Sequence, residues 1–105
     1  MSREARVAKN EVLFREVNER IRELAPGDGP TEFLCECGDA GCVESVSLSP
    51  GQYEEVRRDP ARFFVLPGHE VPDIEDVVEE AGSFLVVAKR QGTPAEIAEE
   101  NDPRS

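Results

Sequence analysis

From about Arg3 to Ala25 the apolar residues recur with a helical period. Val7, Phe14 and Ile21 return every seven positions, Val17 and Leu24 follow the last two by three, and Leu13 widens the stripe. Glu11 with Arg15, and Glu16 with Arg20, stand four apart in the order that favours ion pairing on a helix surface. The pattern predicts a long amphipathic N-terminal helix, ended by Pro26-Gly27-Asp28-Gly29-Pro30, because proline and glycine do not continue a helix cheaply. Its apolar stripe is expected to pack on the protein's own sheet. A dimer seam or a groove for a partner helix is the alternative, with Asn10 at a seam position.

Beyond this break the period shortens. Thr31 to Cys37 and Cys42 to Ser47 read as two short strands around a Gly38-Asp39-Ala40-Gly41 turn. Ser49-Pro50-Gly51-Gln52 opens a second helix, with Ser49 as cap, Pro50 at the first helical position and Gln52 completing a capping box. Asp59-Pro60 interrupts that helix after about Arg58. Phe63-Phe64-Val65-Leu66 is a strand-length apolar run closed by Pro67-Gly68. Ile74 to Glu80 and Ser83 to Lys89 read as a hairpin about Ala81-Gly82, although the Glu-rich first arm could equally form a short helix. The second arm is apolar on both faces, as a central covered strand requires. Thr93-Pro94-Ala95-Glu96 starts a short helix to about Glu100, and 101–105 reads as a frayed end.

These elements give an α+β fold: a small, mainly antiparallel sheet with the long N-terminal amphipathic helix across one face and one or two short helices. The expected organisation is a single small domain over 1–105. It divides into an N-terminal helix (3–25), a Pro/Gly linker (26–30), a zinc-stapled α+β core (31–90) and a short helix with an acidic tail (91–105).

Composition narrows the functional classes. At 105 residues and 38% hydrophobic content the core is small, and a small domain is marginally stable unaided. The net charge of -11, from 23 acidic and 12 basic residues, repels phosphate backbones and anionic lipids. Nucleic acid is therefore disfavoured, and a basic or amphipathic protein surface is the expected partner. The basic clusters Arg57-Arg58 with Arg62, and Lys89-Arg90, are expected to pair with nearby acids, and Tyr53 to lie at the core edge. The N-terminal residues precede no apolar segment and no run approaches membrane-spanning length, so no membrane association and a cytoplasmic location are expected. Three cysteines, an odd number, fit reduced thiols better than a disulfide framework.

The candidate chemistry lies in Cys35-Glu36-Cys37-Gly38-Asp39-Ala40-Gly41-Cys42, which holds every cysteine, and in His69, the only histidine, just past Pro67-Gly68. Three thiolates and an imidazole make the ligand set of a closed, tetrahedral structural zinc site. Side chains two apart on a strand share a face, so Cys35 and Cys37 would point at one ion and Glu36 away from it. A four-residue turn would bring Cys42 level, and His69 would tie this hairpin to the strand Phe63–Leu66. In such sites metal binding supplies folding free energy on the order of 10 kcal/mol.

The Cys-x-Cys-x4-Cys spacing is not a standard finger pattern, and Asp39, Glu44, Glu70 or water could replace His69 as fourth ligand. The plain alternative is three reduced cysteines beside a glycine turn, with His69 a surface residue bonding its neighbours. A redox role would couple Cys37 and Cys42 as a disulfide and eject the metal, but Glu36, Asp39 and Glu44 offer no base to lower a thiol pKa. Catalytic zinc would need an open position with Glu70 or Glu36 as base. Yet the deaminase pattern, His-Glu-x-x-His, Gly-x-Ser-x-Gly, a phosphate-binding glycine loop and a second histidine are all lacking.

The runs Phe33-Leu34-Cys35-Glu36-Cys37-Gly38-Asp39-Ala40-Gly41-Cys42, Tyr53-Glu54-Glu55-Val56-Arg57 and Val65-Leu66-Pro67-Gly68-His69-Glu70 resemble a family of small uncharacterised bacterial proteins. The likeness runs from Phe14-Arg15-Glu16-Val17-Asn18-Glu19 to Val86-Val87-Ala88-Lys89, most of the chain. It brings no activity. It implies an intracellular protein in which Cys35, Cys37, Cys42 and His69 belong together. The reading is thus a small acidic zinc-binding protein without catalysis. It would serve as an interaction or regulatory module for an unidentified protein partner, as a monomer or a helix-mediated homodimer. A thiol-based redox or zinc sensor and a small metal-dependent hydrolase are the alternatives.

Overall fold

The computed structural model describes residues 3–25, 27, 29–90 and 93–104, with side chains from 5 onward and, in the last helix, from 95. Pro26 and Asp28 of the expected break, and the Thr93 side chain of the expected capping box, lie outside the described residues. The element order is α1 (Arg3–Leu24), β1 (Thr31–Leu34), β2 (Ser45–Leu48), α2 (Pro50–Arg57), β3 (Arg62–Val65), β4 (Glu75–Glu80), β5 (Leu85–Lys89) and α3 (Thr93–Glu100). The fold is α+β, and its strands form two antiparallel sheets. One is the β1–β2 pair, with Thr31 opposite Leu48 and Leu34 opposite Ser45. The other has the order β3-β5-β4.

β5 is the central strand and is buried along most of its length, which is why it reads as apolar on both faces. Residues 75–80 are strand rather than helix: Val77 and Val78 suit a pleated surface, and β5 offers a full hydrogen-bonding edge that outweighs the helical preference of glutamate. α2 carries its capping box as the sequence implies, with Gln52 N donating to Ser49 Oγ at 3.2 Å and Ser49 N to Gln52 Oε1 at 2.9 Å.

The two sheets meet over an aromatic core. Phe33 of β1 stacks on Tyr53 of α2 at 4.5 Å between ring centroids, and Phe64 of β3 meets both edge-on at 6.0 and 5.9 Å. Tyr53 is wholly buried rather than at the core edge. Cys35 and Cys37 belong to this same cluster, so the candidate metal centre is continuous with the core.

The orientation of α1 corrects the sequence reading. Leu13, Val17 and Leu24 are 55%, 40% and 76% exposed, whereas Ala5, Ala8, Glu11, Val12, Arg15 and Asn18 are buried. Val7, Phe14 and Ile21 are half-buried. Polar partners decide the face. Arg15 donates to the carbonyls of Pro60, Ala98 and Asn101 at 2.6, 2.7 and 3.0 Å. Glu11 pairs with Lys89, which also holds Glu75. Turning the apolar stripe inward would strand these groups, and each broken buried contact to a charge costs several kcal/mol. Neither expected pair, Glu11–Arg15 or Glu16–Arg20, is among the ion pairs of the described residues. The chain end also departs from expectation: Arg104 is held between Glu19 and Glu54 and lies over the Tyr53 ring.

Candidate metal centre

The cysteine segment begins where β1 stops. Cys35 N donates to Glu44 O at 3.0 Å, extending the β1–β2 ladder by one step, and Glu36 N then turns to Phe64 O of β3 at 3.0 Å. The three cysteines therefore sit in the loop beyond the strands, not on the strands themselves. The expected alternation survives nonetheless. Glu36 points away from its neighbours into the core, where Arg57, Asn18 Nδ2 at 2.8 Å and Phe64 N at 3.2 Å donate to its carboxylate.

Gly38, at φ +77°, starts the return. Asp39 closes it, its carbonyl accepting from Cys42 N and its side chain from Gly41 N, both at 2.9 Å. The second arm leaves β3 through Leu66 and Pro67-Gly68. His69 N bonds back to Leu66 O at 2.9 Å, and Glu70 Oε1 accepts from Gly68 N at 2.7 Å. This turn presents the imidazole to the cysteine loop.

The ligating atoms of Cys35, Cys37, Cys42 and His69 lie within 4.8 Å of one another. His69 Nδ1 is 3.6 Å from Cys35 Sγ and 3.7 Å from Cys42 Sγ. Zinc bonds of about 2.3 Å to sulfur and 2.0–2.1 Å to nitrogen, at tetrahedral angles, require sulfur–nitrogen separations of about 3.5–3.6 Å. The two separations are close to that value, and these four residues could hold a metal. Asp39 and Glu70, candidate substitutes for His69, are engaged by backbone N–H groups of their own turns, and Glu44 is exposed.

Each sulfur also receives a backbone N–H: Leu66 N to Cys35 at 3.3 Å, Asp39 N to Cys37, and Glu44 N to Cys42. Such donors favour thiolate and orient it. In the metal-free state the thiols share protons unequally. A hydrogen bond from Cys35 takes the Cys37 thiol down to about 5, against the opposing effect of burial. The reciprocal bond to Cys37, with burial, pushes Cys35 up, and burial raises Cys42. The downward direction at Cys37 comes from neighbouring thiols rather than from the basic neighbour that the sequence reading required. A divalent ion would deprotonate the remaining two. A cavity of about 300 Å³, lined by Cys37, Asp39, Gly68, His69 and Val71, opens beside the group.

No protein-family model, curated protein or solved structure matches this chain. The resemblance drawn from its motifs rests on those motifs alone.

Two residues that build the centre, Asn10 and Asn18, were not legible as site residues. Asn10 Nδ2 donates to Gly38 O at 2.9 Å, fixing the cysteine turn on α1 instead of marking a seam. Asn18 pairs with Leu34 as a backbone strand would, Nδ2 to O at 3.0 Å and Oδ1 from N at 2.8 Å. Glu36, a candidate base, is occupied by Arg57 and faces the core. The available signal was the helical spacing of Glu11, Arg15 and Asn18, which marks a polar face as clearly as the leucines mark an apolar one. Among the described residues no helix is long and apolar enough to cross a membrane.

Proposed function

We propose that this chain is a cytoplasmic zinc protein whose single ion is structural, held by Cys35, Cys37, Cys42 and His69, and that it acts as a non-catalytic interaction or regulatory module for a protein partner. The spacing of the four ligating atoms carries the zinc assignment. Three thiolates suit zinc over harder cations, and four protein donors complete its preferred tetrahedron, leaving no position for a substrate or an activated water. The ion joins the loop after β1 to the turn after β3, so it bridges the two sheets. A non-catalytic role is supported by the engagement of Glu36, Asp39 and Glu70 elsewhere.

Native mass measurement with and without a chelator tests the assignment, together with the spectrum of the cobalt-substituted form. One ion per chain and thiolate charge-transfer bands of a four-coordinate site are expected. Metal-free protein that melts sharply and is indifferent to chelation refutes it.

One observation favours a second reading, a thiol-based sensor. Cys37 has the lowered pKa, lies beside Cys42 and lines the open cavity. Peroxide would take two electrons from these two sulfurs, leaving a disulfide, water and released zinc. Retention of zinc under mild peroxide disposes of this reading and leaves the structural one standing.

A further inference from the structure

The outer face of α1 takes no part in the core or the metal centre. At about 100° per residue, Leu13, Val17 and Leu24 fall within about 40° of one another, and Leu24 stands about half a turn from Arg15 at the centre of the buried face. Three large apolar side chains in line, opposite a polar buried face, form a helix–helix contact stripe rather than scattered surface residues.

The flanks of this stripe indicate what covers it. On one side lie the half-buried Phe14 and Ile21, and on the other the exposed Lys9, Glu16, Arg20 and Glu23. None of these four charges forms an ion pair within the described residues. Along the helix their signs alternate: positive, negative, positive, negative. Reversing the helix exchanges the signs, so the flank is complementary to itself when two copies run antiparallel.

A two-fold axis at Val17 sets Lys9 within about 3 Å along the axis of Glu23 from a second copy, and Glu16 within about 3 Å of its Arg20. The two Glu16 carboxylates approach near the axis, each beside an arginine of the other chain. A parallel pair would instead set the charged flank against Phe14 and Ile21 of the other copy, leaving the charges unpaired. In a chain of net charge -11, this balanced flank is also a surface on which two copies can approach without like-charge repulsion.

We propose that α1 is the contact face of a symmetric, antiparallel homodimer in which Leu13, Val17 and Leu24 interdigitate with the same residues of a second copy. With three apolar residues per helix the dimer is reversible rather than obligate. The proposal rests on α1 and is independent of the metal assignment.

The test is sedimentation equilibrium of the metal-loaded chain between about 1 μM and about 1 mM, a range spanning weak association. A concentration-dependent monomer–dimer equilibrium is expected. Val17→Glu, which places two carboxylates on the axis, gives monomer throughout with an unchanged circular dichroism spectrum. Lys9→Glu opposes like charges at two symmetric places and weakens the dimer roughly tenfold. Lys9→Glu combined with Glu23→Lys restores it, because the outer pair exchanges its signs and stays complementary across the axis while Glu16 and Arg20 are untouched. A wild-type chain that is monomeric at the highest concentration overturns the proposal, including the case in which this face serves a different protein. A dimer indifferent to Val17→Glu, or a double variant as weak as Lys9→Glu alone, does so too.

Discussion

Gly38 is where the metal loop touches α1, and its replacement by alanine measures that contact. A Cβ there would stand 2.6 Å from Val7 Cγ1, 2.9 Å from Val7 O and 3.0 Å from Glu11 Cγ. The valine methyl can rotate away, but the carbonyl is fixed in the helix. Two costs combine: about 1–2 kcal/mol for a non-glycine residue at φ +77°, and about 1–3 kcal/mol for forcing the loop off the helix. Gly38→Ala should therefore lose about 2–5 kcal/mol of stability. For a domain near this size that corresponds to a fall in Tm of about 10–30 °C.

Gly68→Ala is the internal control. It lies beside His69 in the other arm of the same centre, also at positive φ (+92°), yet its Cβ meets nothing within 4 Å. It should lose only the backbone cost, about 1–2 kcal/mol. Urea unfolding of the two metal-loaded variants reads the difference directly, and chelator competition reports whether displacing the loop also weakens metal binding. Equal losses, within about 0.5 kcal/mol, would refute a close steric seat for the loop on α1.

Three further outcomes follow from named contacts. Cys37→Ser, or chelation of the wild-type protein, should unfold the domain by removing a contribution on the order of 10 kcal/mol, visible as loss of near-ultraviolet circular dichroism; a stable variant opposes a structural metal. Arg57→Met should cost about 3–5 kcal/mol in denaturant because it strands the fully buried Glu36, and adding Glu36→Gln should recover part of that loss; strict additivity would exclude the coupling. The third concerns pH. Burial, opposed by Lys89 and reinforced by Glu75, raises the Glu11 carboxyl well above its ordinary 4.5. The folded state then keeps a proton that the unfolded chain sheds, so stability falls as pH climbs from about 4.5 through the raised value. Glu11→Gln should flatten that stretch of the stability–pH profile, and an unchanged slope would assign it to another group.

Local signals located nearly every element. The Ser49–Gln52 box, the Asp59-Pro60 stop, the Pro67-Gly68 turn and the two-faced apolar run of β5 each act over a few residues, and each is found where the sequence places it. The four candidate ligands were legible for the same reason: sulfur and imidazole are scarce, and their donor chemistry is intrinsic to them. What could not be read is what depends on pairs distant in sequence. The junction of the two sheets rests on Glu36 N finding Phe64 O, and the face of α1 follows from Lys89, Leu34 and Pro60. Arg57 and Lys89 do pair with acids, as charge balance requires, but inside the protein rather than on its surface. Periodicity ranks faces by apolar content and has no means of weighing a buried salt link that exists only after folding.

That inversion is the reason a metal, held as proposed, would matter to the fold. Six ionisable groups, Glu11, Arg15, Glu36, Arg57, Glu75 and Lys89, are buried, three acids facing three bases. Arg15, Arg57 and Lys89 also lie 5.0, 5.9 and 5.6 Å from the centre of the Phe63 ring, so the cations are partly solvated by aromatic faces. Yet buried ion pairs seldom add net stability over apolar residues of the same volume, since desolvation consumes the Coulombic gain. What they do is penalise every other arrangement: α1 rotated by half a turn would leave Glu11 and Arg15 in solvent and take their donor from the carbonyls of Pro60, Ala98 and Asn101. The network selects the orientation of the helix without contributing much to holding it. Net stability must come from the aromatic core around Phe64 and from whatever bridges the two sheets outside it. The cysteine loop and the His69 turn lie at that junction, with Glu36 between two of the ligands anchoring the loop to the ionic network. Loss of the ion would therefore loosen the metal loop first and the seating of α1 next, through Asn10 and Gly38. Hydrogen exchange after chelation should show protection lost at residues 35–42 and in α1 before it is lost in β3 and β5; simultaneous loss across all elements would argue that the two layers unfold as one unit.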